Sequence, residues 1–380
     1  SLIGVQANIA VQTVGEVKKS VDIRTQMLFN PDSKTANFMV PGLIAVILNI
    51  TTVILTSLSI VKEKEKGTLE QIFVTPVEPL GLILGNILYM ELSNPQLNIN
   101  LTSIVNHSQD LTRINQYQQE NPNAQKVALY TPYGDSSREL VGTFINNNSK
   151  YKKTIILIHG LYQNRSMCLN YVNIYKQLGF NVLLIDLRGH GESDGIITWG
   201  QTEIRDIDMW CDYLRNTKQQ ELIGIHGISL GGAFALLHSG LSVHPADFYI
   251  EDSSYSDLKG LYYNHLHSMI QLPNDSKILD ILWIYSQVCM YWHTGSTLDK
   301  LAPLKAVAHS TSPTLFLHGS ADTLIPPNTL QELYDNCRAT KSMHMFKDST
   351  HAQAISNYPN EYFNVIKDFL VNNHFTTIQN

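Results

Sequence analysis

The chain has 380 residues, 43% of them hydrophobic, and its 27 Lys and Arg against 33 Asp and Glu leave a formal net charge of −6. That length accommodates two domains, or one large one with an appendage, and buries a substantial core. The mildly acidic balance offers no basic face to nucleic acid, and Cys168, Cys211, Cys289 and Cys337 lie far apart with no CxxC pair, which argues against a zinc site or a disulfide framework.

The cysteines read as buried or idle thiols, and no metal is expected. From Ser1 onward no basic n-region or small-residue cleavage site precedes an apolar core, so no signal peptide is expected; the true start is expected to lie upstream. Phe38 to Val61, "FMVPGLIAVILNITTVILTSLSIV", carries no charged side chain. At about 1.5 Å per residue it is long enough to cross a hydrocarbon core about 30 Å thick. It has neither strand-like alternation nor the polar stripe of a helix lying on a globular core. A transmembrane helix over 38–61 is therefore expected. Lys62, Lys64 and Lys66 follow it, but Lys18, Lys19, Arg24 and Lys34 on the other flank dilute the asymmetry that would orient it.

The stretches "LFNPDSKTANFMVPGLIAVIL" and "LTSLSIVKEKEKGTLEQIFVTPVEPLGLILGN" resemble the permease subunit of ABC-2 type exporters over roughly residues 21–90. The resemblance implies an outside loop, one spanning helix and a cytoplasmic elbow at "EKGTLEQIFVTP" that meets an ABC ATPase subunit as partner. No Walker A sequence occurs in the chain, so such an ATPase would be a separate polypeptide. The next apolar run, "LGLILGNILYM", ends at Met90 before it is long enough to span, and polar sequence follows. Residues 91–125 are rich in Asn, Gln and Ser and read as a linker or a loose amphipathic helix.

From Lys126 the texture changes. "KVALYTPYG" and "ELVGTFINN" read as paired strands; "KTIILIHG", "NVLLIDLRG", "LIGIHGIS", "DFYIEDSS" and "PTLFLHGS" are short apolar runs separated by helical stretches. That alternation predicts an α/β domain, a mostly parallel sheet with helices on both faces. Sites in such sheets lie at the carboxyl ends of strands. Gly227-Ile228-Ser229-Leu230-Gly231 satisfies G-x-S-x-G between a strand and a helix, a sharp turn that exposes the serine oxygen. Gly227 and Gly231 are small because side chains there would clash.

The expected order is serine, acid, histidine. Asp322 follows "TLFLHG" and His351 follows "SMHMF". A serine hydroxyl needs a base, and the imidazole needs a carboxylate to hold its tautomer; Asp322 and His351 fill those roles, with Asp348 the second-choice carboxylate. The oxyanion requires donors already in place. The backbone N–H of Leu230 is one, and the N–H of Leu161 in "HGLYQN" the other, with the Tyr162 hydroxyl as an alternative. His190 in "DLRGHGES" reads as structural.

These motifs, with "TWGQTEIRDIDMWCDYL", "EDSSYSDL", "HGSADTLIP" and "HAQA", are similar to the α/β-hydrolase superfamily over about residues 126–375. The resemblance implies hydrolysis of a small-molecule ester or amide without cofactor, and a helical cap over about 257–312. That interval carries Tyr262, Tyr263, His265, His267, Trp283, Tyr285, Tyr291, Trp292 and His293, some of which are expected to line an apolar acyl or aryl pocket. His265 and His267, two apart, do not face each other on a helix and make a poor metal pair. A serine hydrolase is thus expected, an esterase ahead of a peptidase or amidase; a membrane component of an exporter is the alternative for the first ninety residues. If the permease orientation holds, the hydrolase sits on the cytoplasmic side of a membrane. The two parts meet near Met90 by gene fusion, by a join made in sequence assembly, or as a purposeful anchor.

Overall fold

The computed structural model describes residues 110–133, 136–147, 152–263, 277–294 and 297–377. The uncharged run 38–61, the rest of the permease-like stretch, and His265 and His267 lie outside them. Contacts divide the chain into Ser1–Leu82 and Ile83–Asn380, and all described residues belong to the second unit. No helix among the described residues is long and apolar enough to cross a membrane.

Eight strands form one sheet: β1 (Ala124–Tyr133), β2 (Ser136–Ile145), β3 (Lys153–Ile158), β4 (Asn181–Ile185), β5 (Leu222–Ile228), β6 (Phe248–Asp252), β7 (Thr314–Gly319) and β8 (Lys341–Phe346). Their order is β1-β2-β4-β3-β5-β6-β7-β8. The hairpin β1–β2 and the β2–β4 pair are antiparallel; every later pairing is parallel. Each apolar run read as a strand forms one.

Among the described residues the helices include α1 (Thr112–Glu120), α2 (Leu169–Gln177), α3 (Glu203–Asp212), α4 (Leu230–Leu241), α5 (Lys277–Thr294), α6 (Pro303–Val307), α7 (Asn328–Asn336), α8 (Ala354–Asn357) and α9 (Pro359–Asn372). Strand side chains alternate between two buried faces, which is why β3 and β4 are apolar throughout. Ile156, Ile158, Leu183 and Ile185 pack with Ile207 and Trp210 of α3 and Phe234 and Leu237 of α4. Ile155, Leu157, Val182 and Leu184 pack on the other face with Tyr171 and Tyr175 of α2 and Ile366 and Phe369 of α9. The second face also takes Ile114 of α1, fully buried, so a helix from the 91–125 stretch seats a side chain in the core.

Register positions the site. Ile158 pairs with Gly227, Ile228 with Asp252, and Asp252 with Leu317. The carboxyl ends of β3, β5, β6 and β7 therefore finish side by side, and the loops that leave them meet at one sheet edge. Between β6 and β7 the described residues are largely helical, residues 258–263 and α5 included. Tyr262, Leu279 and Trp283 are buried there, with the Tyr262 and Trp283 rings 5.5 Å apart.

Candidate functional site

Ser229 stands between β5 and α4 with φ 55° and ψ −116°, a conformation that costs a non-glycine residue about 1 kcal/mol or more. The surroundings enforce it. Its N–H donates to the carbonyl of Asp252 at 2.7 Å. A Cβ on Gly227 would meet the Gly231 carbonyl oxygen at 2.0 Å, and one on Gly231 the Ile158 carbonyl oxygen at 2.3 Å. Only glycine fits at these two positions, so the G-x-S-x-G spacing is dictated by backbone approach.

The structure brings the three residues named from the sequence together across the edge. His351 Nε2 lies 2.9 Å from Ser229 Oγ, and His351 Nδ1 lies 2.7 Å from Asp322 Oδ2. Asp322 Oδ1 accepts the N–H groups of Leu324 and Ile325, both at 2.9 Å. Burial alone would raise the Asp322 carboxyl, but hydrogen bonds from His318, His351 and Ile325 hold it well below the usual carboxylate range. The carboxylate thus stays ionised beside the imidazole. Asp348 has φ 54° and donates its N–H to Ser320 Oγ in the turn before His351.

The His351 loop is tied to the serine by groups that sequence reading missed. Ala352 N–H donates to Ser253 Oγ at 3.2 Å, Ser253 Oγ donates to Asp252 Oδ1 at 2.8 Å, and the Tyr362 hydroxyl donates to Asp252 Oδ2 at 2.8 Å. Ser253 and Ala352 both have positive φ, 62° and 51°. Asp252 is fully buried, and burial raises its carboxyl against the opposing bonds from Tyr362 and Ser253. One residue therefore braces Ser229 through its carbonyl and the His351 loop through its carboxyl. The "EDSS" motif was the trace of this in the sequence.

On the other side, the loop after β3 crosses Ser229. A Cβ on Gly160 would lie 3.3 Å from that of Ser229, and Gly160 N–H donates to Gln163 Oε1 at 3.2 Å. No main-chain acceptor takes the N–H of Leu161 or Leu230 among the described residues. Leu230 opens α4, where the first N–H groups have no intrahelical acceptor and the helix end is electropositive. Below the loop, Arg165 is fully buried and pairs with Asp186 and Glu192. His159 accepts Leu187 N–H on Nε2 at 3.1 Å, so its Nδ1–H faces the Gly160 carbonyl at 2.7 Å. Burial, with His190 beside it, pushes His159 down to about 3, and it stays neutral. His190 is buried against His159, its Nδ1 3.1 Å from the Arg188 carbonyl.

A cavity of about 680 Å³ opens beside Ser229. Leu161, Met167, Tyr171, Ile228, Leu324 and Ile355 supply its apolar wall, while Tyr162, Gln163, Asn170, Gln353 and Ser356 add polar groups. Its lining holds no Asp, Glu, Lys or Arg. Among the described residues of the expected cap, Tyr262, Tyr263 and Trp283 pack on one another as core, and Tyr291 is exposed. Cys168, also at the cavity, is buried with its thiol pushed up chiefly by desolvation.

Comparison with known proteins agrees with this architecture. Residues 153–244 match the alpha/beta hydrolase fold family, and residues 3–90 match the ABC-2 family transporter protein family. The uncharacterized protein YqkD of Bacillus subtilis is 31% identical over 227 residues, covering 59% of this chain and 73% of that protein. The probable multidrug ABC transporter permease YbhR of Escherichia coli is 42% identical over 57 residues, 15% of this chain and 16% of the permease, so the chain spans a small part of that relative. Among solved structures, the Pyrococcus furiosus esterase Pf2001 superposes with a TM-score of 0.52 at 21% identity, covering 66% of this chain and 93% of the esterase. With its eight-stranded, mostly parallel sheet and its relation to YqkD, the chain belongs to the alpha/beta hydrolase fold family, preceded by a segment resembling an ABC-2 permease.

Proposed function

We propose that the domain is a serine hydrolase that cleaves uncharged carboxylic esters through an acyl-enzyme on Ser229, with Asp322 and His351 as acid and base. The observation that carries this reading is the continuous run of contacts from Ser229 Oγ through His351 to Asp322, 2.9 and 2.7 Å, on a strained elbow. His351 Nε2 takes the Ser229 proton as Oγ attacks the carbonyl carbon, and Asp322 holds the opposite N–H and offsets the imidazolium charge. The oxygen that becomes negative is met by the N–H groups of Leu161 and Leu230, each donor worth about 3 kcal/mol in the transition state. His351 then protonates the leaving alcohol, and a water, deprotonated by the same nitrogen, releases the acid.

The uncharged, largely apolar cavity favours small acyl or aryl esters over charged peptides. A fluorophosphonate probe is expected to label wild type and leave Ser229→Ala unlabelled; persistent labelling of that variant rejects the assignment. Faster turnover of amino-acid arylamides than of nitrophenyl esters would move the enzyme to the peptidase class.

In the same reading, residues 38–61 anchor the enzyme in a membrane, residues 1–90 form the permease-like part that an ABC ATPase subunit would meet, and the domain from about 126 to 375, cap included, lies on the cytoplasmic side. The permease match over residues 3–90 supports the anchor. A chain starting near Glu91 is expected to remain soluble and active on a nitrophenyl ester. Loss of its cooperative melting would make the N-terminal part integral to the fold, and protease protection of the domain in sealed inside-out vesicles would reverse the orientation.

A further inference from the structure

His318 is the penultimate residue of β7, four residues before Asp322, and is fully buried. Its Nε2 lies 3.1 Å from the Ile325 carbonyl and 3.3 Å from Asp322 Oδ2. Both neighbours are acceptors, so that nitrogen carries a proton. The other nitrogen, Nδ1, has no partner among the described residues, and neither has the buried Oε1 of Glu251. Glu251 lies on β6 opposite Phe316 of β7. Strand alternation then puts Glu251, Phe316 and His318 on one face, with Glu251 diagonal to His318. The second carboxyl oxygen of Glu251 is already used, accepting Ser254 N–H at 3.0 Å.

We infer that His318 is a positioning residue of the reaction centre: its Nε2–H steadies the Asp322 oxygen that also holds His351, with Glu251 on the same sheet face behind it. The titration tendencies agree. Burial pushes Glu251 up to about 8, so at neutral pH its carboxyl adds little negative charge behind His318. His318 is lowered by burial but lifted more by Asp322 and Glu251, and its net direction is upward. The ionisable groups around the pair are Glu251 and, on the opposite face of β6, Asp252, then Asp322 after β7 and His351 after β8. Asp322 is left with four donors, two main-chain amides on one oxygen and two imidazoles on the other, which fixes its rotamer and divides its charge.

The inference rests on the reading of Ser229, Asp322 and His351 given above, and the test separates the two. His318→Gln places an amide N–H near Nε2, whereas His318→Asn places one near Nδ1 and leaves Asp322 unsupported. Rates on a nitrophenyl ester are taken per active site titrated with the fluorophosphonate, across pH. His318→Asn is expected to lose kcat on the order of 10-fold or more through misplacement of His351, with KM held within about twofold. Its acid limb of kcat/KM should move to higher pH, because an undivided Asp322 charge holds the protonated imidazole more firmly. His318→Gln and Glu251→Gln, which keep the donors, should retain the wild-type limb. A His318→Asn enzyme with wild-type kcat and limb per titrated site, or one matched by His318→Gln in both, overturns the inference. A Ser229→Ala enzyme that stays active overturns the reading of the site instead.

Discussion

Replacing Arg165 by Met tests how the loop that carries Leu161 is held. The guanidinium is fully buried; it pairs with Asp186 and Glu192, and its Nε donates to Thr143 Oγ1 at 3.1 Å. The Arg165 N–H also donates to Asp186 Oδ1 at 2.7 Å, so backbone and side chain grip one carboxylate. Methionine fills similar volume but strands the Asp186 charge in the interior. Breaking a buried pair from one side costs about 3–5 kcal/mol, which for a domain of this size lowers Tm by about 10 °C. The pH dependence has a definite sign. Burial already raises the Asp186 carboxyl, with Arg165 opposing it, so losing Arg165 raises it further. A group whose folded value is raised favours the fold at low pH and loses that contribution as pH climbs through the folded value. The deficit of Arg165→Met relative to wild type should therefore be largest near neutrality and shrink in acid, and adding Asp186→Asn should recover part of it. Urea melts at about pH 7 and about pH 5 read both, since the midpoint and slope give the free energy directly. A loss under about 1 kcal/mol at neutral pH, or a deficit that widens in acid, would falsify the assignment of Arg165 as the counter-charge.

Gly227→Ala drives a methyl into the Gly231 carbonyl, 2.0 Å away, and should abolish fluorophosphonate labelling even where folded protein is recovered; normal labelling would show that the elbow tolerates a side chain. Asp322→Asn should lower kcat by about 10³–10⁴ through the wrong imidazole tautomer. Because the Asp322 carboxyl is held low in the fold, its stabilising contribution is present above the unfolded carboxylate range and lost as pH falls through the folded value. The stability gap between Asp322→Asn and wild type should then close in acid, and a gap independent of pH would contradict the ionised reading. Tyr362→Phe removes the donor to Asp252 Oδ2 and should cost about 1–3 kcal/mol. It should also slow labelling by loosening the His351 loop, whereas a melt and a labelling rate equal to wild type would remove Tyr362 from the brace.

The strands and the chemistry at their ends are legible in the amino-acid pattern alone. Period and length separate the apolar runs of β3 to β7 from the helices, and the elbow announces itself because backbone contacts at Gly227 and Gly231 exclude any side chain. The order of Ser229, Asp322 and His351 along the chain is likewise legible, since each follows a strand whose end the sheet must bring to one edge. The support around them comes from long-range packing. Asp252 meets Tyr362 across 110 residues of chain, and Ser253 meets Ala352 across 99, contacts that no local pattern encodes. Glu251 and His318 become neighbours only through the β6–β7 register. Aromatic composition between β6 and β7 gave a pocket lining as readily as a packed cluster. Tyr262 and Trp283 settled against each other because burying two rings together removes more apolar surface from water than leaving either at the rim of an open cavity.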